Sequence, residues 1–283
     1  MPDTSAFAIP VARGLGGMTA SLRVTVALQC WGAAGLRFLA PGRSPLATMW
    51  SVAKEIEPDR FVLVDQIIGG VLLAAGLLCL TRPMWPVLIP LTVLFVGDAV
   101  APIGSDQSWL SWPRAVAAAA TGAAPVALML IDWFPPRARF SLARFLISVA
   151  IVRTAVALTF AAMGILAIQE SRFPGPIADV VAGLPQTLAG VSLSADATGW
   201  VLALVGAVHF AFALNIAATR SRGVSAALAG WGLLWAAAPI FAFGARGVLD
   251  LLHDFARIGL PIVLLLYWMR AIEERGEVLR AAD

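Results

Sequence analysis

Long stretches of apolar residues recur along this chain at a length that matches the thickness of a lipid bilayer. Residues 61–80, FVLVDQIIGGVLLAAGLLCL, hold one charged side chain in twenty positions. An α-helix of about 20 residues crosses the roughly 30 Å hydrocarbon layer of a membrane. Charged residues make up 13% of the whole chain, against about 25% in soluble domains. The sequence therefore predicts an all-α, polytopic integral membrane protein whose main partner is the lipid bilayer.

Eight segments have the length and composition of membrane-spanning helices. Pro, Gly and Arg residues mark several of the breaks between them, because Pro removes a helical hydrogen bond and restricts the residue before it. The predicted spans are 19–40, 61–81, 84–103, 113–134, 142–168, 198–219, 222–245 and 254–272.

The two longest connections between these spans are residues 41–60 and 169–197. Apolar residues at helical spacing in the first predict a short amphipathic helix that lies flat in the membrane interface. Three prolines among small residues in the second favour a loop with short helical turns.

The basic residues predict the orientation of the chain. With the N-terminus in the cytoplasm, eleven Arg residues fall on the cytoplasmic side and seven basic residues on the other side, which is the bias of the positive-inside rule. Both termini are then cytoplasmic. The high Ala and Arg content favours a bacterial inner membrane, and the scattered basic residues form no patch typical of nucleic-acid binding.

The chain divides into two similar halves, residues 1–135 and 136–283. Each half has one helix, a long outer loop, a closely coupled helix pair, a short outer loop and a final helix. Because four helices per unit is an even number, the second unit enters the membrane in the same orientation as the first. This pattern predicts two parallel four-helix repeats that together form one membrane domain.

A few Arg and Gly positions give this four-helix unit its outline. In the first half these positions are Leu22-Arg23, Gly35-Leu36-Arg37, Gly69-Gly70, Gly76 and Arg82, and in the second half they are Arg144, Gly164, Gly199, Gly206 and Arg220. The outline resembles the DoxX-like family of small bacterial membrane proteins. The resemblance implies a four-helix bundle that associates with redox partner proteins, in one branch with a thiosulfate:quinone oxidoreductase.

Four ionisable residues lie at a similar predicted height near the outer face: Arg37, Asp65, Asp98 and Arg114. An ionised group inside a spanning helix costs about 2.5 kcal/mol or more unless it has a partner or a wet cavity. One interpretation is an outward-facing polar pocket for a small polar or anionic solute, or for a proton relay. The alternative is an ion-pair network that fixes helix packing.

A second candidate site combines Arg153 and His209, which lie near the predicted midplane on consecutive helices. One interpretation is a ligand site for a quinone headgroup, with His209 as a hydrogen-bonding partner and Arg153 holding an anionic oxygen. The alternative is an interhelical hydrogen-bond clamp.

The remaining patterns argue against a resident metal, haem or catalytic centre. Asp250, His253, Asp254 and Arg257 share one predicted helical face, but a metal site needs further ligands, and a solvated helix start is the simpler interpretation. Two His at different predicted heights do not form a bis-His haem site. No residues are assigned as catalytic.

The two cysteines, Cys30 and Cys79, lie at different predicted heights in the membrane. Because a disulfide requires Cα atoms within about 7 Å of each other, both are predicted to be free thiols.

Three functions remain open from the sequence. The first is a DoxX-like subunit of a respiratory or sulfur redox system that binds quinone near Arg153 and His209. The second is a small-solute or ion transporter with its site between the two units. The third is a structural or assembly subunit without a site of its own.

Overall fold

The computed structural model describes residues 8–42, 44–54, 58–105, 111–132 and 141–280, which form helices joined by short connections. A single 3-10 turn, Pro58–Phe61, precedes the third helix. The α-helices of the described residues are α1 (Ala8–Leu39), α2 (Pro45–Lys54), α3 (Val62–Thr81), α4 (Trp85–Ser105), α5 (Ser111–Ala117), α6 (Ala119–Ile131), α7 (Leu142–Glu170), α8 (Pro176–Ala189), α9 (Ala195–Ala218), α10 (Arg222–Phe243), α11 (Ala245–His253) and α12 (Ala256–Arg280).

Six segments of the described chain are long and apolar enough to cross a membrane. They correspond to the second to seventh predicted spans and are Val62–Thr81, Trp85–Gly104, Ser111–Ile131, Leu142–Glu170, Ala195–Ala218 and Arg222–Phe243. The prediction of an all-helical chain with membrane-spanning segments is therefore confirmed. Helices α1 and α12, predicted as the first and eighth spans, are not among the six, so the number eight stays a prediction.

The helices differ in how much of their surface faces outward. α1, α6, α7 and α12 pack against one another in the centre, whereas α3, α4, α9 and α10 lie outside them. The outer helices expose large apolar side chains, among them Leu63, Ile67, Val71, Val93, Leu204, Leu214 and Leu234. Helix α1 carries buried polar residues such as Thr25 and Gln29, which lower its overall hydropathy.

The two ends of the bundle are named here after residues of α1. Helix α1 leads from the Arg23 end to the Arg37 end, and α3 leads back from Asp65 to Thr81. Helix α12 runs antiparallel to α1, since Gly259 contacts Thr25 and Gly17 lies beside Leu266. The start of α1 and the end of α12 are therefore on the same side, the Arg23 end.

Two helices are interrupted within the bundle. A turn at Ala118 separates α5 from α6, and a turn at Asp254 and Phe255 separates α11 from α12. At the first break the backbone N–H of Ala120 donates to Oγ1 of Thr159 on α7 at 2.9 Å. A side chain of a neighbouring helix thus replaces the backbone partner that the break removes.

Helix α11 folds back into the bundle instead of forming an outer loop. Gly244, with φ 60° and ψ −130°, turns the chain into a conformation that L-residues avoid. Gly247 then meets the carbonyl of Pro239 on α10, and the start of α12 at Arg257 lies against Gly232, halfway along α10. Helix α11 and the start of α12 therefore pack between α1 and α10. The solvated start predicted for the eighth helix stays a prediction, since the side chains of Arg257 and Asp254 are 20% and 27% exposed.

The two long connections both contain helices. Residues 45–54 form α2, which confirms the helix predicted there. The second connection holds more structure than predicted, since Pro176–Ala189 is a helix of 14 residues. Pro176 at its first position suits a helix start, Pro185 lies within the helix, and Gly190 ends it with φ 66°, so the prolines do not prevent this helix.

Candidate functional site

A buried ion-pair cluster joins three helices at the Arg37 end. Nη2 of Arg37 on α1 donates to Oδ2 of Asp98 on α4. Nε of Arg37 lies 3.8 Å from Oδ1 of Asp65 on α3. The three residues are 4%, 8% and 2% exposed, respectively. The structure thus brings together three of the four residues that the sequence groups near the outer face.

Asp65 serves mainly to fix the start of α2. Its carboxylate accepts hydrogen bonds from the backbone N–H of Gly42 at 2.9 Å, the backbone N–H of Ser44 at 3.2 Å and Oγ of Ser44 at 2.6 Å. Oγ of Ser44 in turn accepts from the N–H of Ala47 at 3.2 Å, as a helix N-cap does. Asp65 is therefore saturated by the protein and is not available to a ligand.

Asp98 is only half satisfied. Its Oδ2 receives the Arg37 guanidinium, while Oδ1 is buried and makes no hydrogen bond within the described part of the chain. The same is true of Nε of Arg37 and Nδ1 of His253. Buried polar atoms are almost always paired in native structures. Arg37, Asp98 and His253 all line one space, so their unpaired atoms mark it as the candidate site for a polar molecule.

That space is a cavity of about 570 Å³, called the first cavity below. Its walls come from α1, the start of α2, α4, the α5–α6 junction and α11. Arg37, Asp98, Arg246, Asp250 and His253 supply its charged and titratable lining. The volume lies within the range of small-molecule sites.

A second cavity of about 490 Å³ lies on the other side of α11. Its walls come from α5, α7, α8, α10, α11 and the start of α12, with Trp235, Pro239 and Phe243 among the apolar residues. Arg246 and Asp250 line both cavities. The two spaces are therefore neighbours that share one wall.

Arg114 lies at the second cavity, so the structure does not place it with Arg37. The sequence places these residues at a similar depth in the membrane. Depth alone does not determine on which side of the bundle a side chain lies. Because α5 packs on α7, Arg114 lines the same cavity as Glu170 on that helix.

Glu170 is a site residue that sequence reasoning missed. Its Oε2 accepts hydrogen bonds from the backbone N–H groups of Ile177 at 2.7 Å and Ala178 at 2.9 Å, at the start of α8. A carboxylate is favourable there because the first N–H groups of a helix have no helical partner. Pro176 at the helix start was the available signal, since it marked where α8 begins.

Arg153 caps the end of α9. Its Nε donates to the carbonyl of Ile216 at 2.7 Å, and its Nη2 donates to the carbonyls of Ala217 at 2.6 Å and Thr219 at 3.3 Å. The last carbonyls of a helix lack helical partners and attract cations. The geometry is that of the interhelical clamp, one of the two interpretations left open by the sequence.

His209 lies apart from Arg153 along the same helix. Seven residues separate it from Ile216, which is about 10 Å along a helix axis. It is 2% exposed, its Nδ1 is 2.8 Å from the carbonyl oxygen of Val205, and it packs against the rings of Phe160 and Trp231. The structure therefore does not unite Arg153 and His209 in one site.

A narrow space of about 10 Å³ lies between His209 and Arg257. Trp235 and Arg257 line both this space and the second cavity, so the two adjoin. Such a volume holds about one water molecule and no ring-shaped ligand.

The Asp250–Arg257 segment does not form one helical face, because the turn at Asp254 and Phe255 interrupts it. Oδ2 of Asp254 pairs with Nη1 of Arg257 across the break at 2.9 Å. Among the residues that the structure describes, no three His, Cys, Asp or Glu side chains are placed to hold a metal ion.

The arrangement as a whole is a pair of charged cavities at one end of a helical membrane bundle, with unpaired buried atoms in the first. It is suited to holding a small polar or charged molecule, and its ionisable groups lie beside two interrupted helices. A comparison of the chain with protein-family models, with curated proteins and with solved structures found no match in any of the three.

Proposed function

We propose that this chain is a transporter of small polar solutes in a bacterial inner membrane, with eight spans arranged as two four-helix units. Even-numbered crossing is supported by the antiparallel packing of α1 and α12, which puts the start of one and the end of the other on the same side. The proposed orientation places the Arg23 end and both termini in the cytoplasm.

The proposed duplication is supported by parallel contacts in the two halves. Arg23 on α1 donates to the carbonyls of Leu80 and Thr81 at the end of α3, both at 3.4 Å. Arg153 on α7 makes the corresponding contacts at the end of α9. Each unit also has a short helix after its first long helix and an interruption in its last span.

The contacts that each half makes with the other half also correspond. α11 and α12 of the second half pack on α1, and α5 and α6 of the first half pack on α7. The interrupted span of each unit therefore packs against the first long helix of the other unit. The first cavity lies among α1, α2, α4 and α11, and the second among α7, α8, α10 and α5, which is the relation expected of two copies of one site.

The observation that carries the transport proposal is the position of these cavities. They lie where the two units meet, they are lined by ionisable residues, and they adjoin the breaks in the α5–α6 and α11–α12 spans. Transporters built from repeats commonly bind their solute between the repeats, next to discontinuous helices. A subunit that only fills space gains nothing from buried polar atoms without hydrogen-bond partners.

Cysteine labelling from the two faces of the membrane tests this proposal. Ala99 on α4 lines the first cavity, and Val191, 55% exposed, lies in the connection between α8 and α9. Each is replaced by Cys in a Cys30→Ala/Cys79→Ala background and treated with an impermeant maleimide in right-side-out and in inside-out vesicles. Alternating access predicts labelling of the Ala99→Cys variant from both faces and of the Val191→Cys control from one face.

If the Ala99→Cys variant reacts only from the face that labels the Val191→Cys control, the cavity does not alternate, and an assembly subunit becomes the better explanation.

The DoxX-like resemblance, its redox partner protein and a bound quinone stay predictions. The guanidinium of Arg153 is engaged by helix carbonyls, and the space beside His209 holds about one water, so the geometry favours the cavities at the Arg37 end over the pair proposed from sequence. Co-purification of a redox protein or of quinone with the full chain would support the redox alternative.

A further inference from the structure

Asp98 lines the first cavity, and one of its carboxylate oxygens is buried without a donor. Asp98 is 8% exposed, and its Oδ1 makes no hydrogen bond among the described residues, although its Oδ2 is paired with Arg37. A buried acceptor without a partner costs about 1–3 kcal/mol, and more when it is charged. A ligand that donates a hydrogen bond to Oδ1 recovers this energy.

The charges around the cavity favour a cation over an anion. Among the lining residues, Arg37 and Arg246 provide two positive charges, and Asp98 and Asp250 provide two negative ones. Asp65 lies outside the lining and adds a third carboxylate beside Arg37. Arg37 is also held between two carboxylates, which leaves it little capacity to bind an anion.

The lining favours an organic cation over a metal ion. The described residues provide no set of three metal-binding side chains, and divalent and alkali cations are held by several oxygen ligands. Much of the wall is apolar and includes Leu36, Phe95 and Ala99. An alkyl chain suits that wall, while an ammonium group supplies the N–H donors that Asp98 lacks.

We infer that the first cavity binds a small aliphatic ammonium ion, with its N–H group toward the carboxylate of Asp98 and its carbon chain against Phe95 and Leu36. The inference rests on the proposed function, because it names the solute class of the same cavity. The carboxylate of Asp98 attracts the positive charge of the ligand, and the apolar wall disfavours ions that keep a full hydration shell.

Binding of n-propylammonium chloride to the purified full-length protein in detergent micelles tests the inference by calorimetry and by thermal shift. Sodium propionate and 1-propanol, with the ionic strength matched, are the ligand controls, since they share the carbon chain but not the charge. We expect n-propylammonium to bind and to raise the unfolding temperature, and neither control to do so.

Two variants locate the site. Asp98→Asn removes the charge and Ala99→Phe fills the cavity without touching the ion pairs; each is expected to weaken n-propylammonium binding about tenfold or more. Val93→Phe, on the exposed face of the same helix, is the matched control and retains wild-type affinity. If the Asp98→Asn variant does not fold, the affinity of the Ala99→Phe variant tests the inference by itself.

Several results overturn the inference: no binding of n-propylammonium at high millimolar concentration, equal binding of propionate, or unchanged affinity in the Ala99→Phe variant. The labelling experiment separates this outcome from failure of the transport proposal. If the cavity is labelled from both faces but does not bind n-propylammonium, the chain transports another solute. If it binds n-propylammonium but is labelled from one face only, the cavity is a binding site without transport.

Discussion

Replacing Gly232 by Ala tests the close packing of the start of α12 against the middle of α10. A Cβ atom at this position would overlap the carbonyl oxygen of Arg257 and lie 3.1 Å from its carbonyl carbon. The obstacle is backbone, so no side-chain rotation relieves it. Overpacking of this kind costs about 1–3 kcal/mol, because α10 and the start of α12 have to separate.

Gly230 provides a matched control two residues away. It lies on the same helix, is exposed, and has nothing within 4 Å of an added Cβ. Both replacements gain the same helix propensity, about 0.8–1.0 kcal/mol for Gly to Ala, and this gain cancels in the comparison. We therefore expect Gly232→Ala to be about 1–3 kcal/mol less stable than Gly230→Ala.

The free energy of unfolding in detergent micelles, from thermal or SDS titration, measures this difference. For a chain of this size each kcal/mol shifts the midpoint by about 2–4 °C. Equal stability of the two variants, or a more stable Gly232→Ala, would refute the packing of α12 against α10 and with it the wall shared by the two cavities.

Three further predictions follow from the buried polar contacts. Arg153→Met is expected to lower the free energy of unfolding by about 1–3 kcal/mol, since it removes charged hydrogen bonds to the end of α9; unchanged stability in an SDS titration would contradict the capping role. Asp65→Asn is expected to cost about 2–3 kcal/mol, because it removes a buried carboxylate oxygen that accepts from the N–H groups of Gly42 and Ser44 at the start of α2, whereas Asp132→Asn at the partly exposed pair with Arg23 costs about 1 kcal/mol or less; similar losses in the same titration would show that burial is not decisive. Cys30 and Cys79, both buried and free, are expected to resist maleimide in the folded protein and to react after denaturation in SDS, as followed by mass spectrometry; rapid reaction of either in the folded protein would contradict the packing of α1 against α3.

The polar residues inside the spans show how far sequence reasoning reaches toward a site. Height along the membrane follows from counting residues along each helix, and this brought Arg37, Asp65 and Asp98 together correctly. The same counting grouped Arg114 with them and paired Arg153 with His209, because one coordinate does not fix the direction in which a side chain points.

The sequence alone determined that this chain is a bundle of helices in a membrane, since runs of about 20 apolar residues match the thickness of the hydrocarbon layer as helices. It also located the helical connection of α2 and the free thiols. The return of α11 into the bundle, the breaks at Ala118 and Asp254, and the cavities on either side of α11 were decided by tertiary structure. They depend on contacts between residues far apart in the chain, such as Gly32 with His253, and a hydropathy pattern reports only how apolar a segment is, not which neighbour it meets.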